Sequence, residues 1–448
     1  MIVNAFCNIR SIYSQLSEKN MEWLAGKYND MDWLRKNIDL TTKEHLKQED
    51  IVGKKIFLKP NWVKHSAIPS DEICLRTHDN FVLAFLENIL CFNPSQVTIG
   101  DAPIQGCKWD EMIRPSFIAK IGALSHKYNI SIQIKDLRRL IMNLNSDDMV
   151  NNVQSLDDFI IFDVGKKSYL EPITHNDKNQ FRVTHYNPDR FKLSHGPGVH
   201  KYCITKELFE ADVVISMPKM KTHEKAGITN ALKNIVGLNG DKDFLPHHRI
   251  GGTDLGGDSY PGKNYFRHFS EICYDQANRN LGNKSYWVWV RLASLLWKVS
   301  SPTKLDRFGA GWHGNQTTWR MVMDLNLIAF YGKSDGTLSS TPVRQLFSLS
   351  DGIVGGQKDG PLTPTPLALG LISFTNDSAL CDLSIGTLMG MNIDKVPLLV
   401  SAKEFRPFEK KKIFYNDKEV TLNQLQAFSV DTEMPSGWLG YEKVMNKV

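Results

Sequence analysis

The feature that most constrains the fold is an alternation of short β-rich runs with segments of helical periodicity, which begins at Ile51. The runs read, in order, IVGKKIFLKP, HDNFVLAFLENIL, VTIGDAP, MIRPSFIAKIGALSHKY, SIQIKDL, DDFIIFDVG and ITKELFEADVVISMPK. Such alternation is typical of βαβ units, in which a helix returns the chain to the start of a parallel strand. The sequence therefore predicts an α/β protein with a mostly parallel sheet flanked by helices.

The alternation is interrupted once and then resumes. Residues 239–318 are rich in Gly, His and aromatic residues, after which the pattern returns with WRMVMDLNLIAFYG, QLFSLSDGIVGG, LALGLISFTN and DSALCDLSIGTLMG. One sheet assembled from both halves explains this return more simply than two domains. We therefore predict one α/β core over residues 51–448, interrupted by a lid-like insertion at 239–318. In residues 1–50, the pairs Trp23-Leu24 and Trp33-Leu34 predict a helical lead-in of two short amphipathic helices.

Composition and charge exclude several classes of protein. Of the 448 residues, 42% are hydrophobic and 23% charged, as in ordinary globular proteins. The net charge of +5 is small and scattered, which argues against nucleic-acid binding. Seven widely spaced cysteines predict neither a disulfide framework nor an iron–sulfur cluster. Without a secretory pattern at its start, or a run of about 18 apolar residues, the chain is predicted to be cytoplasmic.

Polar side chains follow the predicted strands at their carboxyl ends, which is where ligands bind in open α/β sheets. They are Lys59, Asn61, Asp101, Lys219, Lys221, His223, Asp351 and Asp377. A lysine reaches a phosphate or carboxylate as a point charge, and several lysines in one crevice neutralise a multiply charged ligand. The simpler alternative is that each lysine is solvated and each aspartate shapes a turn or, for Asp377, caps a helix. Because the pattern repeats at five strand ends, we expect one pocket to contain Asn61, Asp101, Lys219, Lys221 and His223, together with Lys233 and Asn234 of the segment described next.

The segment 219–237, KMKTHEKAGITNALKNIVG, is the densest in polar residues. If residues 227–238 are helical, Asn230, Lys233, Asn234 and Gly237 fall on one stripe at i, i+3, i+4 and i+7. Asn is a poor helix former, so the two amides are predicted to direct hydrogen bonds to a ligand rather than to line a solvated face.

Three histidines are candidates for proton transfer. His223 titrates near neutrality, and the adjacent positive charge of Lys221 is expected to keep it neutral and able to accept a proton. His247 and His248 precede Arg249, a further anion-binding candidate. The histidine pair could also supply metal ligands, although adjacent side chains point apart and the spacings HxxxH and HExxH do not occur.

Tandem glycines follow the histidine pair at positions 251–252 and 256–257. Glycine permits close backbone approach to a ligand and a mobile loop. We therefore expect a lid that brings His247 or His248 close to the side chains of Lys221 and His223. The alternative is a surface excursion whose histidines face solvent. GGTDLGGD matches neither the Walker A motif nor the dinucleotide fingerprint, so it predicts no nucleotide.

Residues 285–300, SYWVWVRLASLLWKVS, form a predicted helix that is apolar nearly all round except for Arg291, Ser294 and Lys298. Three tryptophans and two cations permit an interfacial membrane helix. The alternative is a helix buried in the lid or in a contact between two copies of the chain.

Several separated motifs together resemble a known family. They are KPNW, Thr77-His78, IGD, PKMKTH with TNALKNIVG, SDGIVGGQKDGP and NDSALCDLSIGTLMG, and they span roughly residues 50 to 395. In this order they resemble the "domain of unknown function 362" family. LPHHRIGG, GGDSYP and TTWRMVMDLN resemble a bacterial subgroup, some of whose members are near surface-polysaccharide genes. Some relatives carry ferredoxin-type cysteine motifs, which this chain does not have, so the resemblance implies no iron–sulfur cluster here.

These features predict a cytoplasmic enzyme that acts on an anionic small molecule, such as a phosphorylated or carboxylated sugar derivative. We expect Lys59, Lys219, Lys221, Lys233 and Arg249 to bind the anion and Asn61, Asn230 and Asn234 to orient it. His223, His247 or His248 would move the proton, and Asp101, Asp351 or Asp377 would orient that base or hold a divalent cation. One alternative is a protein that binds or carries an anion without changing it. Another is a membrane-surface scaffold that uses helix 285–300.

Overall fold

The structure is a computed structural model that describes residues 4–13, 20–66, 68–143, 149–175, 180–300, 309–405 and 408–443. Its strands are β1 (Ala5–Ser11), β2 (Lys55–Pro60), β3 (Gln96–Asp101), β4 (Ser131–Asp136), β5 (Leu140–Met142), β6 (Met149–Asn151), β7 (Phe159–Asp163), β8 (Phe181–Arg182), β9 (His195–Gly196), β10 (Val199–Thr205), β11 (Val213–Met217), β12 (Lys219–His223), β13 (Gly227–Thr229), β14 (His248–Arg249), β15 (Gln345–Gln357), β16 (Thr365–Leu367), β17 (Leu371–Thr375), β18 (Lys411–Tyr415) and β19 (Lys418–Val420). Its α-helices are α1 (Met21–Lys27), α2 (Met31–Thr42), α3 (Gln48–Ile51), α4 (Pro69–Leu75), α5 (Asp79–Leu90), α6 (Trp109–Met112), α7 (Pro115–Tyr128), α8 (Glu207–Glu210), α9 (Ala231–Asn234), α10 (Tyr265–Arg279), α11 (Ser285–Ser300), α12 (Thr318–Tyr331), α13 (Ser378–Leu388), α14 (Pro397–Glu404) and α15 (Leu422–Leu425).

The central sheet runs in the order β19-β18-β1-β17-β15-β11-β2-β3-β4, and β12, β13 and β16 extend it beside β15. Along this order, the pairs β18/β1, β15/β11, β11/β2, β2/β3 and β3/β4 are parallel. The pairs β19/β18, β1/β17 and β17/β15 are antiparallel. The predicted mostly parallel α/β sheet is confirmed, and both halves of the chain contribute strands to it.

Helices cover both faces of the sheet, and each face has its own hydrophobic core. One core contains Phe81 and Phe85 of α5 and Ile38 of α2, beneath the helices that follow the first strands. The opposite core is built largely from α9, α12, α13 and α14. Every residue of α13 is buried, including Asp382, Ser384 and Thr387.

The N-terminal region differs from the predicted helical lead-in. Helices α1 and α2 cover the two Trp-Leu pairs, but β1 precedes them and lies inside the sheet, between β17 and β18. Its first five residues are all buried, so the strand lacks the alternation of apolar and polar residues that marks a half-exposed strand. Residues 1–3 and 14–19 of the lead-in, and residues 301–308 of the insertion, lie outside the described residues.

Within residues 239–318, α10 and α11 pack against each other, and β14 pairs with β8, a strand that comes before the segment in sequence. The central sheet receives no strand from this segment in the part of the chain that the structure describes. Among the described residues, none of the helices combines the length and apolarity that crossing a bilayer demands.

Candidate functional site

The carboxyl ends of β2 and β3 carry a buried hydrogen-bonded cluster. The ammonium of Lys59 donates to Asp101 Oδ1 at 2.7 Å and to Asn234 Oδ1 at 3.3 Å. Asn61 Nδ2 donates to the same Asn234 oxygen at 3.2 Å. Asp101 Oδ2 accepts from the Trp62 N–H at 2.7 Å. The predicted convergence of Lys59, Asn61, Asp101 and Asn234 is therefore present in the structure, with α9 lying over the ends of two parallel strands.

Gly237 permits this close approach. A Cβ atom at this position would lie 1.9 Å from Asp101 Oδ1 and 2.6 Å from Lys59 Nζ. The Gly237 carbonyl also accepts from the Ala102 N–H at 3.2 Å. The segment after α9 can therefore cross the ion pair only because residue 237 has no side chain.

Lys219 belongs to a second ion pair, at the start of β12. Its ammonium donates to Asp351 Oδ2 at 3.0 Å and to the Tyr28 hydroxyl at 2.8 Å, and all three side chains are buried. Burial lowers the pKa of Lys219, while Asp351 acts in the opposite direction. The ring of His78 stacks on Tyr28 at 4.1 Å, and burial together with Lys219 lowers the pKa of His78 to about 3. Because its charge is already balanced, Lys219 is poorly placed to bind a ligand anion.

Lys221 is buried on β12 and has no ion pair to a carboxylate in the described part of the chain. Its ammonium donates to the carbonyls of Leu75 and Pro361. Burial lowers its pKa to about 7, and the positive charges of Lys219 and Lys233 act in the same direction. The sequence predicts Lys221 as an anion-binding residue, with a solvated lysine as the alternative, and its side chain is in fact buried.

Three more lysines belong to this region: Lys233 and Lys242 interact with Lys59 and Asp101, and Lys225 interacts with Lys233. Lys242 is buried and its ammonium donates to the Ala102 carbonyl at 3.1 Å, whereas Lys225 and Lys233 are partly buried. Burial lowers the pKa of Lys233 to about 7 and that of Lys242 to about 8, and Lys225 shifts in the same direction. Each of the three is without an ion-paired carboxylate among the residues described. We use the name lysine crevice for Lys221, Lys225, Lys233 and Lys242, because the charge of Lys233 interacts with those of the other three.

Two histidines border the lysine crevice in opposite tautomers. His223 Nδ1 accepts from the backbone N–H groups of Lys225 and Ala226, so its proton lies on Nε2. His247 Nδ1 donates to the Leu245 carbonyl at 2.7 Å, which leaves the Nε2 lone pair free to accept.

Both rings are neutral at pH 7. Burial and the charge of Lys233 place the pKa of His223 well below its ordinary value, and His247 adds to this effect. Burial and the charge of Lys225 do the same for the pKa of His247. The predicted neutral His223 thus has burial as its main cause, and Lys221 contributes less than Lys233 and His247.

The other two candidates of this segment, His248 and Arg249, contribute to the packing of the insertion. His248 is buried on β14, where Nδ1 has no hydrogen-bond partner, and burial lowers its pKa strongly. Arg249 donates to the Ile173 carbonyl at 3.2 Å and lies 3.7 Å from Asp258. Arg249 therefore takes part in the packing of the insertion, with its charge beside that of Asp258.

The loop that contains the tandem glycines, residues 251–257, is closely packed and not open. A Cβ at Gly252 would meet the Gly262 carbonyl at 2.2 Å, and one at Gly257 would meet the Gly251 carbonyl at 2.1 Å. Backbone hydrogen bonds close the loop, including one from Gly257 N–H to the Gly252 carbonyl at 3.0 Å. These glycines serve tight backbone packing, which the sequence pattern alone does not distinguish from a mobile lid.

The predicted helical stripe is broken, which separates Asn230 from the cluster. Residues 227–229 form β13, and α9 begins only after Asn230, whose φ of −156° and ψ of −137° are not helical. Its Nδ2 donates to Cys381 Sγ at 3.3 Å, on the side of α13. Asn230 therefore cannot orient a ligand beside Asn234.

The three aspartates expected to orient a base or hold a cation do not share one site. Asp101 is paired with Lys59 and Asp351 with Lys219. Asp377 caps α13 by accepting from the Ala379 and Leu380 N–H groups, and it lies 2.9 Å from Lys411. Across the described ranges, no group of three or more His, Cys, Asp or Glu side chains is arranged to hold a metal ion.

A pocket of about 200 Å³ lies beside His78, whose backbone N–H donates to Asp351 Oδ2 at 3.1 Å. Its cations include Arg76 and Arg114, and both are paired with nearby acids: Arg76 with Asp79 at 2.6 Å and Arg114 with Glu72 at 2.8 Å. Two of the three cations that line this pocket are thus neutralised within the protein, and Lys120 is the third. In the lysine crevice, none of the four cations is ion-paired to a carboxylate of the described residues.

Sequence reasoning missed Lys225 and Lys242, the two crevice lysines outside the strand ends and the proposed stripe. Lys225 lies two residues after His223 in THEKAG, where the chain turns back into β13. Lys242 follows the glycine pair of VGLNGDK, in a stretch with no periodic pattern. Only the folded structure shows that neither Lys225 nor Lys242 has an ion-paired carboxylate among the described residues.

The arrangement is thus an α/β sheet with a cluster of lysines near its strand ends, and none of these lysines is ion-paired to a carboxylate among the described residues. Residues 163–385 match the model of a family described as "Domain of unknown function (DUF362)". The matched region includes β11, β12 and α9, together with His223, His247 and all four lysines of the crevice. It starts after Lys59 and Asp101.

Other comparisons add little. No curated protein matches the chain. A crystal structure of a protein from Thermotoga maritima is similar, at 9% sequence identity and a TM-score of 0.31, over 75% of this chain and 53% of that one. The chain therefore spans about half the length of that relative.

Proposed function

We propose that the protein is an enzyme that binds an anionic small molecule in the lysine crevice and moves a proton with His223 and His247. One observation carries the proposal: four lysines lie in one region, buried or partly buried, and none is ion-paired to a carboxylate of the described chain. Burial of a charge is costly unless an opposite charge accompanies it. A phosphate or carboxylate group of a ligand would supply that charge.

The two histidines support proton transfer at the bound ligand. His247 Nε2 is a lone-pair acceptor and serves as the general base. His223 presents Nε2–H as a neutral hydrogen-bond donor toward an oxygen on which negative charge develops. An anion in the crevice would raise the pKa of both rings, since it offsets the lysine charges that lower them.

A sugar-derived ligand is the class we favour. Asn61 Oδ1 is buried next to the Lys59 cluster and has no hydrogen-bond partner. A buried acceptor of this kind suits a hydroxyl donor of the ligand, because leaving it unpaired costs about 1–3 kcal/mol. None of the seven cysteines forms a disulfide bond in the described chain, which fits the cytoplasm as the place of action.

Anion affinity should fall as the pH rises through 7 to 8. Lys221 and Lys233 have pKa values of about 7 in the free protein, so above that pH a proton must be taken up before the anion binds. Sulfate is the probe, since its charge is constant between pH 6 and pH 9. Isothermal titration should show affinity lowered about tenfold per pH unit above pH 7 for each lysine that must be protonated. Affinity that stays constant or rises over this range would contradict the proposed anion site.

The variants His223→Gln and His247→Gln separate an enzyme from a carrier. Each should bind sulfate within about threefold of the wild type, because Gln preserves a polar side chain without a titrating ring. Turnover of a sugar phosphate identified by a thermal-shift screen should fall by about 100-fold or more. If both variants turn that substrate over at the wild-type rate, the histidines move no proton. The protein is then better described as an anion carrier.

A further inference from the structure

Helix α11 is the most exposed apolar element of the described chain. Only Tyr286 and Ala293 are buried, on the side that faces α10, where Ser270 Oγ donates to the Ala293 carbonyl at 2.7 Å. The other side exposes five large apolar residues, with exposed fractions from 40% to 66%: Trp287, Val288, Leu292, Leu295 and Val299. The alternative interpretation of residues 285–300, a buried helix, therefore does not agree with the structure.

The neighbouring helix α10 also exposes apolar side chains. Phe266 and Phe269 are 56% and 55% exposed, and Tyr265 is 58% exposed. We call the exposed faces of α10 and α11 the hairpin surface. An apolar surface of this size, with aromatic residues, generally marks a contact with a partner or a membrane.

The charges on this surface have one sign. Residues 280–300 contain Lys284, Arg291 and Lys298 but no Asp or Glu, in a chain whose totals of 54 basic and 49 acidic residues are nearly balanced. All three cations are exposed. The acids of α10, Glu271 and Asp275, are buried. The hairpin surface therefore presents apolar residues and cations together.

We infer that the hairpin surface binds the anionic surface of a membrane, with α11 lying in the plane of the lipid headgroups. An exposed apolar face with Trp, Leu and Val, accompanied by Lys and Arg, is what an interfacial helix requires. The long stems of Arg291 and Lys298 allow their charges to reach headgroup phosphates while their carbons stay in apolar surroundings. At 16 residues, α11 is about 24 Å long and lies on the bilayer without crossing it.

A second copy of the chain fits this surface less well. A two-fold symmetric contact places the same patch on both sides, which would bring Arg291 and Lys298 of one copy against the cations of the other. Like charges in such a contact oppose association. Anionic lipid offers the complementary charge at every position along the helix.

Co-sedimentation with vesicles tests the inference on the full chain. Vesicles of phosphatidylcholine with one quarter phosphatidylglycerol should pellet the protein, and vesicles of phosphatidylcholine alone should pellet much less. Arg291→Gln and Lys298→Gln should each lower the partition coefficient about fivefold. Leu295→Glu should lower it at least about tenfold, because it removes apolar contact and adds a repelled charge.

The matched control is Leu156→Glu, since Leu156 is 54% exposed but lies outside the hairpin, against 59% for Leu295. It should pellet like the wild type. Melting temperatures equal to the wild type would show that the surface variants are folded. The inference is overturned if the wild type stays in the supernatant with anionic vesicles, or if Leu295→Glu pellets equally well. It is also overturned if sedimentation equilibrium shows a dimer that Leu295→Glu dissociates and that binds no vesicles.

Discussion

Replacing Asp101 by Asn is expected to lower the free energy of unfolding by about 3–5 kcal/mol. The change removes the charge that balances Lys59, which is only 1% exposed and whose pKa burial already lowers. It also brings an amide N–H against the Trp62 N–H, which donates to Asp101 Oδ2 in the native protein. Urea denaturation at pH 7, followed by circular dichroism, measures the effect.

The double variant Lys59→Met with Asp101→Asn serves as the internal control. Removing both charges should recover part of the loss, because no unpaired buried charge remains. Glu419→Gln is the surface control, since its partner Lys412 is 54% exposed and such pairs contribute less than about 1 kcal/mol. A loss for Asp101→Asn no greater than that for Glu419→Gln would show that the Lys59–Asp101 pair does not hold the strand ends together.

Replacing Lys233 by Met is expected to weaken sulfate binding about thirtyfold or more while making the protein more stable. The folded-state pKa of Lys233, about 7, lies below the ordinary value of 10.5, so the charged form is disfavoured by folding. This cost is fully present below pH 7 and disappears as the pH rises toward 10.5. At pH 6 we expect the free energy of unfolding to rise by roughly 1–2 kcal/mol, with the gain lost at high pH.

Two further lysines provide the comparison for Lys233→Met. Lys36 is exposed on α2, so Lys36→Met should change neither sulfate affinity nor stability measurably. Lys221→Met should weaken sulfate binding but destabilise the protein, because the carbonyls of Leu75 and Pro361 lose their donor. Titration calorimetry and thermal denaturation at pH 6 and pH 9 distinguish these outcomes. Unchanged sulfate affinity in Lys233→Met would remove Lys233 from the anion site.

The strand ends of the site could be predicted from the sequence because parallel strands align their carboxyl ends. In the sheet, Ser216 of β11 lies between Lys59 of β2 and Ser348 of β15. The residues that follow these three positions therefore lie along one edge of the sheet. Periodicity and position after a strand were therefore enough to predict that Lys59, Asn61 and Asp101 lie close together.

The partners of these residues could not be predicted, since they depend on contacts between distant segments. Tyr28 contacts Asp351 and Lys219 from the turn after α1, in a region that the sequence analysis predicted as a separate lead-in. Asn230 and Asn234 share one predicted stripe, yet the backbone turn at Asn230 sends the first toward α13 and the second toward β2. A pattern of residue types identifies candidate charged residues. Which lysines remain available to a ligand depends on how those charges pair in the folded chain.

The position of β1 in the sheet affects how the chain folds during its synthesis. Strand β1 ends at residue 11 and takes both neighbours from the far end of the chain, β17 at 371–375 and β18 at 411–415. At about 5–20 residues per second, a ribosome needs on the order of 20–70 s to proceed from β1 to β17. Throughout that interval the nascent chain carries an unpaired apolar strand with both edges open to other chains. The central strands β2, β3, β4 and β11 lie within the first 217 residues and can pair earlier, so closing the sheet around β1 is a late event of high contact order.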